Sequence, residues 1–352
     1  MDGYAIQAGK HDELLTVIGE SLAGHPFKGD IGPKECVRIF TGALVPANAG
    51  QIILQEEVAK RESNQVRFNA HTPSESYIRP IGNDLKLGSQ IADQGDVLNP
   101  FLMGSLSSAG VSSVEVFRKP VIGVFSSGDE LRDPGVEVKN LLEGQIYDSN
   151  RLTVMQLLAT MPVEVRDLGR LADEADIVSE ALKNGAQVCD VMITSGGVSV
   201  GDADYISETI EKLGTLAFWR LNLKPGKPMA FGKIENCWIF GLPGNPVSTI
   251  VTALLLVRPA LATLAGTVSE PPLRIKAKLT TSLQHQPGRT EYQRGTFTQL
   301  SGEFAVGHTG DQGSNRLSTF HNANCLIEVD KTVGDLQSGD WVNIVPLTSL
   351  IN

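Results

Sequence analysis

The chain has 352 residues, of which 41% are hydrophobic, and a formal net charge of -10. This length predicts two or more domains with at least one sizeable core. The acidic balance excludes nucleic acid and anionic membranes as main partners, because neither would be attracted overall. The longest strongly apolar run, residues 250–257, is far shorter than a membrane span. Four scattered cysteines without a C-x-x-C pair indicate reduced, buried thiols in a cytoplasmic protein.

The first part of the chain reads as a small all-β domain. Short β-like runs such as CVRIF and QVRFNA lie between Gly, Pro and Asn turns over residues 1–88. A connecting segment follows at residues 89–118. It contains a predicted helix from Asn99 to Ala109 and a predicted strand at residues 114–117, VEVF.

Residues 119–270 alternate strand and helix signals, which favours a parallel sheet covered by helices. Asp173 is predicted to begin one helix, and Pro246 to occupy the first position of another that Asn245 caps. Beyond two prolines, residues 271–352 contain short strands typical of a β-barrel. The predicted fold class is therefore multidomain α/β, with a central parallel-sheet domain between a small all-β domain and a C-terminal β-barrel.

The segment VMITSGGVSVGDADY, residues 191–205, indicates a site for a phosphorylated ligand. Glycines let the backbone approach a ligand and expose N–H donors, and hydroxyl groups add further donors. The loop departs from both the dinucleotide fingerprint and the P-loop pattern. Residues 126–130, 194–204 and 241–248 carry polar groups at the expected carboxyl ends of strands, where open α/β sheets bind ligands.

Two carboxylates follow the glycines of this loop, Asp202 and Asp204. Carboxylates beside a phosphate site favour a divalent cation, since Mg²⁺ is commonly held by one or two of them together with substrate phosphates. The alternative is that Asp202 only caps the next helix, which would leave Asp204 without a role.

A second group of residues, WRLNLKPGKPMAFGK at 219–233, brings Lys224 and Lys227 together in an acidic protein. A loop stiffened by proline and glycine that carries two lysines suits an oxyanion. A solvated basic turn is an equally good interpretation of this loop alone, but the neighbouring GLPGNPVS loop ends at a helix start, which also favours an anion. Arg289 and Arg294 follow in GRTEYQRG, and each could equally be a surface arginine.

Together these sequence motifs resemble those of the molybdopterin molybdotransferase family, which is related to the E domain of gephyrin. The resemblance covers essentially the whole chain and rests on nine motifs in family order. They are MDGYA at Met1, RIFTGA at Arg38, RPIGND at Arg79, FSSGDEL at Phe125, IYDSNR at Ile146, SGGVSVGDAD at Ser195, KPGKP at Lys224, GLPGNPVS at Gly241 and GRTEYQRG at Gly288.

This resemblance implies an enzyme of molybdenum cofactor synthesis. Its substrates would be molybdate and adenylylated molybdopterin, with Mg²⁺ assisting the loss of AMP. It further implies a homodimer whose active site lies between subunits, and an encounter with the molybdopterin adenylyltransferase.

Site residues are implied by the same resemblance. Catalytic roles fall to Asp2, Thr41, Asp84, Glu130, Asp173 and Asp204. Substrate contacts fall to Arg79, Ser126, Ser127, Asp148, Ser195, Gly196, Gly197, Ser199, Pro243 and Pro246. Molybdate would lie near Lys224, Lys227, Ser248, Arg289, Ser318 and Thr319, and Mg²⁺ near Glu130, Asp202 and Asp204. From the residues alone, Asp84 reads better as a turn residue and Asp173 as a helix cap.

Two other functions share parts of this pattern. Molybdopterin adenylyltransferase has the SGGVS-type loop but needs neither the flanking β domains nor KPGKP. A molybdopterin-binding scaffold with weak catalysis would retain the pocket. Family members also carry a segment before MDGYA, so we expect a form that starts at this motif to be less active or less firmly dimeric, with Asp2 poorly positioned.

Overall fold

The computed structural model describes residues 1–10, 13–69, 77–198, 204–267, 271–300 and 302–351. The chain divides into two compact units, Met1–Ile91 and Ala92–Asn352.

The first unit is built on one six-stranded sheet with the order β4-β1-β3-β2-β6-β5. Tyr4, Ile6, Leu15 and Cys36 pack in its core, which confirms the predicted small all-β domain. Its strands are β1 (Gly3–Ile6), β2 (Leu15–Ser21), β3 (Glu35–Ile39), β4 (Gln51–Leu54), β5 (Val58–Glu62) and β6 (Gln65–Phe68).

The connecting segment contains the predicted helix but not the predicted strand. Helix α1 (Pro100–Ser108) begins after Asn99, whose side chain accepts hydrogen bonds from the backbone N–H groups of Phe101 and Leu102. The prediction of a strand at residues 114–117 is wrong. Its β-branched and aromatic residues favour a strand, but no described strand pairs with this segment, and Phe117 is half exposed.

The second unit contains a six-stranded sheet with the order β10-β7-β11-β15-β14-β12. The first four strands are parallel, and β14 runs antiparallel to both of its neighbours, β15 and β12, an extension that the sequence pattern did not predict. The six strands are β7 (Val121–Ser127), β10 (Glu164–Leu171), β11 (Val191–Ser195), β12 (Thr215–Arg220), β14 (Pro228–Ile234) and β15 (Cys237–Leu242). Strands β8 (Leu131–Arg132) and β9 (Ile146–Tyr147) pair with each other in a separate small sheet, and β13 (Leu223–Lys224) pairs with a strand of the C-terminal domain.

Helices cover both faces of this sheet, which buries its central strands completely. One face packs against Val154 and Leu158, and the other against Val178 and Ile206. The continuous apolar runs of β7 and β11 follow from this two-sided burial. The helices are α2 (Asn150–Leu158), α3 (Ala175–Ala186), α4 (Tyr205–Leu213), α5 (Pro246–Thr252) and α6 (Arg258–Leu264).

Helices α5 and α6 join through a π-helical turn, Ala253–Val257, into one helix, Pro246–Leu264. By length and composition this helix could cross a membrane, but 61% of its most apolar stretch is buried inside the protein. Its side chains pack on the sheet and also against Tyr292 and Leu326 of the C-terminal domain. Its apolar character is that of a core helix. Pro246 is its first residue, as predicted, although the side chain of Asn245 makes no capping bond.

The C-terminal strands close into the predicted barrel. The order is β17-β18-β16-β20-β19, and β19 pairs back onto β17. Strand β13 adds to this barrel from the neighbouring domain, with Lys224 opposite Glu291 in a parallel pairing. The elements are β16 (Ile275–Leu279), β17 (Thr290–Leu300), β18 (Glu303–His308), β19 (Cys325–Val329), β20 (Trp341–Pro346) and helix α7 (Leu347–Ile351).

All four cysteines are buried and free. Burial raises the pKa of the Cys36, Cys237 and Cys325 thiols to about 12, and it also raises the pKa of Cys189. Because the thiolate is the reactive form, we expect no reaction of the folded protein with a disulfide reagent such as Ellman's near neutral pH. All four thiols should react after denaturation, and fast labelling of the native protein would contradict this burial.

Candidate functional site

The carboxyl ends of β7, β11 and β15 meet at a glycine turn. Gly196 and Gly197 both have positive φ, of 91° and 68°, which favours glycine. The Gly196 N–H donates to the Leu242 carbonyl at 3.1 Å. A Cβ on Gly196 would stand 2.2 Å from the Ser127 carbonyl oxygen. The backbone therefore turns here in a way that only glycine permits, and ligand binding by this loop stays a prediction.

Replacing Gly196 with Ala should distort this turn. The positive φ and the clash with Ser127 should cost about 1–3 kcal/mol and weaken binding of the phosphorylated substrate. Calorimetric unfolding and substrate titration would measure both effects. Gly339→Ala is the matched control, because Gly339 also has positive φ (99°) but no atom lies within 4 Å of the place where a Cβ would stand. A Gly196→Ala protein with wild-type affinity would show that the turn does not contact substrate.

Two serines beside this turn are oriented by acidic side chains, one buried and one partly buried. Ser126 donates to Asp148 at 2.6 Å, and Ser127 donates to Asp173. Asp148 is only 2% exposed and is held in turn by Arg151. The expectation that Asp173 caps a helix is wrong, since α3 begins at Ala175 and the carboxylate of Asp173 instead accepts from Ser127. Sequence patterns cannot show this pairing, because 46 residues separate the partners.

Asn150 was not among the predicted site residues. Its side-chain amide donates to the Ser195 hydroxyl at 2.8 Å and to the Gly244 carbonyl at 2.7 Å. It thereby joins the strand end of β11 to the loop at residues 241–248. The sequence signals were its place in the motif IYDSNR and its position at the start of α2.

The acidic residues of this edge do not form a ready cation site. Asp204 caps α4, where it accepts from the Ser207 N–H at 3.1 Å, and burial raises its pKa. Glu130 is exposed. Among the described residues no cluster of three or more His, Cys, Asp or Glu side chains could hold a metal ion. Ser199, Gly201 and Asp202 lie outside the described residues. A cation here would need oxygen ligands from a bound phosphate.

A second site lies where the sheet domain meets the barrel, a cavity of about 790 Å³. We call it the basic cavity, because Lys224, Lys227 and Arg289 line it together with Ser248. These four predicted residues come from three separate segments, and the fold brings them to one place. A Cβ on Gly226 would lie 2.6 Å from Thr252, so this glycine lets the KPGKP loop rest on α5.

Arg294 holds one wall of the basic cavity from inside the barrel. It is fully buried, and its guanidinium donates to the backbone carbonyls of Asp311, Gln312 and Gly313. Burial lowers its pKa. The interpretation of Arg294 as a surface arginine is therefore wrong.

Comparison with known proteins covers nearly the whole chain. Family models match residues 1–110 as the MoeA N-terminal region, residues 123–263 as a probable molybdopterin binding domain, and residues 276–347 as the MoeA C-terminal region. Molybdopterin molybdenumtransferase of Haemophilus influenzae is 41% identical over 355 residues, which cover 100% of this chain and 87% of that protein. The chain belongs to the MoeA family.

Two other relatives extend this result. Gephyrin of Dictyostelium discoideum is 31% identical, and the match spans 100% of this chain and 56% of that protein. A MoeA protein of Pyrococcus horikoshii has the same fold, with a TM-score of 0.79 at 29% identity, covering 98% of this chain and 86% of the other. These relatives confirm the family resemblance found in the sequence motifs and the predicted fold class.

The MoeA N-terminal region contains four of the predicted residues, and two of them meet. Asp2 accepts hydrogen bonds from the Thr41 N–H at 2.9 Å and the Thr41 hydroxyl at 3.0 Å, which lower its pKa. The Asp2 side chain is therefore held against Thr41, and its position relative to a substrate stays a prediction. Arg79 and Asp84 are exposed and lie in the segment after β6.

Of the remaining predicted residues, Thr319 and Pro243 make hydrogen bonds within the protein. Thr319 accepts from Arg294 at 3.0 Å and donates to the Arg316 carbonyl at 2.6 Å. Neither Thr319 nor Ser318 is among the residues that line the basic cavity. Pro243 accepts from the Thr249 hydroxyl through its carbonyl at 2.5 Å, and Pro246 starts α5. Both prolines thus shape the loop at residues 241–248.

Proposed function

We propose that this protein inserts molybdenum into molybdopterin, with molybdate and adenylylated molybdopterin as substrates and AMP as the released product. The observation that carries the proposal is the loop at residues 241–248, which borders both sites. Its Gly244 carbonyl is bound by Asn150 at the glycine turn, and its Asn245 lines the basic cavity with Ser248. A phosphorylated pterin and an oxyanion bound at these two places would share one loop.

Each site has the chemistry that its substrate needs. Backbone N–H groups and serine hydroxyls at the glycine turn are donors suited to phosphate oxygens. Lys227 and Arg289 of the basic cavity have no acidic partner among the described residues, so their charges are available to a dianion. The names of the relatives and the match along the whole chain support molybdate as that dianion.

We further propose that Mg²⁺ takes part, bound by Glu130, Asp204 and Asp202 together with substrate phosphate. A bound cation would neutralise charge that develops on the phosphate during AMP release. The carboxylates near the glycine turn supply the oxygen ligands that Mg²⁺ prefers. Because the described acids form no complete site, the phosphate of the substrate would have to supply the rest.

A homodimer is also part of the proposal. Helix α1 buries none of its residues within the chain, and Phe101 is 86% exposed. An exposed apolar side chain of this size is typical of a surface that binds another protein, here a second copy of the chain.

Buried free thiols support a location in the cytoplasm. The molybdopterin adenylyltransferase stays the proposed source of the pterin nucleotide.

Molybdate-dependent release of AMP from adenylylated molybdopterin tests the main proposal. Purified protein should release AMP only when both substrates are present. Adenylylation of molybdopterin from ATP would instead show the adenylyltransferase. Tight pterin binding without turnover in either assay would show a scaffold.

A further inference from the structure

An acidic side chain lies in the wall of the basic cavity. Glu291 lines the cavity and is only 4% exposed. Its Oε2 atom accepts from the Lys224 ammonium at 3.0 Å and lies 2.8 Å from Nδ1 of His285. Because the ionised carboxylate only accepts hydrogen bonds, Nδ1 of His285 carries the proton in this arrangement.

The fold fixes this carboxylate firmly. Glu291 lies on β17 directly opposite Lys224 of β13, so the ion pair is built into a strand pairing. The His285 side chain is 1% exposed, and its backbone N–H is anchored to Asp335 at 2.8 Å. Nε2 of this histidine is buried without a partner among the described residues. A buried polar group without a hydrogen bond destabilises the folded protein. Here the unsatisfied nitrogen belongs to the histidine whose other ring nitrogen contacts the Glu291 carboxylate.

The charges around the cavity can be counted. Among the side chains that line it, Lys224, Lys227 and Arg289 supply three positive charges and Glu291 one negative charge, which leaves +2. Arg294 lies behind the lining, and its charge is the same in every variant compared below. Asp311 also lines the cavity, but Arg316 pairs with it at 3.1 Å, so this pair adds no net charge.

We propose that Glu291 is an affinity-setting residue of the basic cavity: its negative charge lowers the cavity's net positive charge and so limits how tightly a dianionic tetrahedral oxyanion is held. This inference rests on the proposed function of the cavity as the molybdate site. Glu291 cancels the charge of Lys224, so Lys227 and Arg289 hold the anion. Without Glu291 the cavity would attract all anions more strongly and would release a dianion more slowly.

The test compares two anions of the same shape, molybdate (-2) and perrhenate (-1), by calorimetric titration at pH 8 and fixed ionic strength. Coulomb energy is proportional to ligand charge, so removing one negative charge affects the dianion twice as strongly. For Glu291→Gln we expect the molybdate Kd to fall by about tenfold and the perrhenate Kd by about threefold, the square root. Weaker or unchanged molybdate binding would overturn the proposal.

A second substitution separates charge setting from a direct role of Lys224. Lys224→Gln should weaken molybdate binding, because it leaves the buried Glu291 carboxylate without its ion-pair partner beside the anion. The double variant Lys224→Gln/Glu291→Gln should bind molybdate more tightly than Lys224→Gln alone, since its net charge returns to +2. Further weakening in the double variant would show that Glu291 only supports the local structure, and would overturn the proposal.

Glu328→Gln is the matched control. Glu328 lies on the adjacent strand β19 and pairs with Arg274 at 2.7 Å and Tyr292 at 2.6 Å, but it does not line the basic cavity. Its substitution should leave both anion affinities unchanged. Binding is measured without pterin, so a failure of AMP release would refute the proposed function and leave this result intact. Binding of neither anion by the wild-type protein would refute both.

Discussion

Replacing Asp204 with Asn should reduce molybdate-dependent AMP release by about a hundredfold or more, the size expected for loss of one electrostatic contact at a reacting phosphate. The helix should persist, because the amide oxygen of Asn can accept the Ser207 N–H bond that Asp204 accepts now. The measurement is turnover across a Mg²⁺ titration. Near wild-type turnover of the variant at limiting Mg²⁺ would refute the role of this carboxylate.

Stability should respond in the opposite direction. Burial raises the pKa of Asp204 above its ordinary value of 3.8, so the ionised carboxylate is less stable in the folded protein than in the unfolded chain. Folding stability from this group is fully present below pH ~4 and declines as the pH rises through the folded-state pKa. We therefore expect Asp204→Asn to unfold at an equal or higher temperature than wild type at pH 7, with the advantage vanishing toward pH 4. Glu180→Gln, an exposed change on α3 that is not among the charges acting on Asp204, is the control.

Replacing Lys227 with Ala should raise the apparent Kd for molybdate about ten- to a hundredfold, the loss of one charge-assisted contact worth roughly 1.5–3 kcal/mol. The Lys227 ammonium lines the basic cavity and has no acidic partner among the described residues, whereas its backbone carbonyl bonds Leu221 and is unaffected by the change. Apparent affinity is measured at saturating adenylylated molybdopterin.

Lys233→Ala provides the comparison for that experiment. Lys233 lies over the Trp238 ring, and it is not among the residues that line the cavity. Its substitution should leave molybdate affinity unchanged. If Lys227→Ala weakened binding of the pterin nucleotide and left molybdate binding unchanged, Lys227 would contact the nucleotide and not the molybdate.

Local signals predicted some helix ends and missed others, since Asn245 makes no capping bond and α3 begins after Asp173. Asn99 caps α1 and Pro246 begins α5 as expected, because capping and proline geometry depend on neighbouring residues only. The failed strand at residues 114–117 has suitable residues but no pairing partner among the described strands, and a strand needs one. The finer domain boundaries at 88/89, 118/119 and 270/271 stay predictions.

Partners distant in sequence were beyond the reach of those signals. The Ser127–Asp173 bond and the meeting of Asn150 with Gly244 depend on how parallel strands are ordered in the sheet. The family resemblance nevertheless grouped four residues that line the basic cavity. It could do so because it places residues from separate motifs in one site, which the pattern of a single segment cannot. Glu291 escaped notice, since a single glutamate between two arginines has no distinguishing pattern.

The two-residue pairing of β13 with β17 makes the basic cavity a property of two domains at once. Lys224 belongs to the sheet domain and Arg289 to the barrel, so an anion bound between them holds both. By mass action, anion at a hundred times its Kd would stabilise the assembled pair by about 2.7 kcal/mol. Bound molybdate should therefore hold the two domains together. The two domains should then unfold in a single thermal transition, and proteases should cleave the chain between them more slowly.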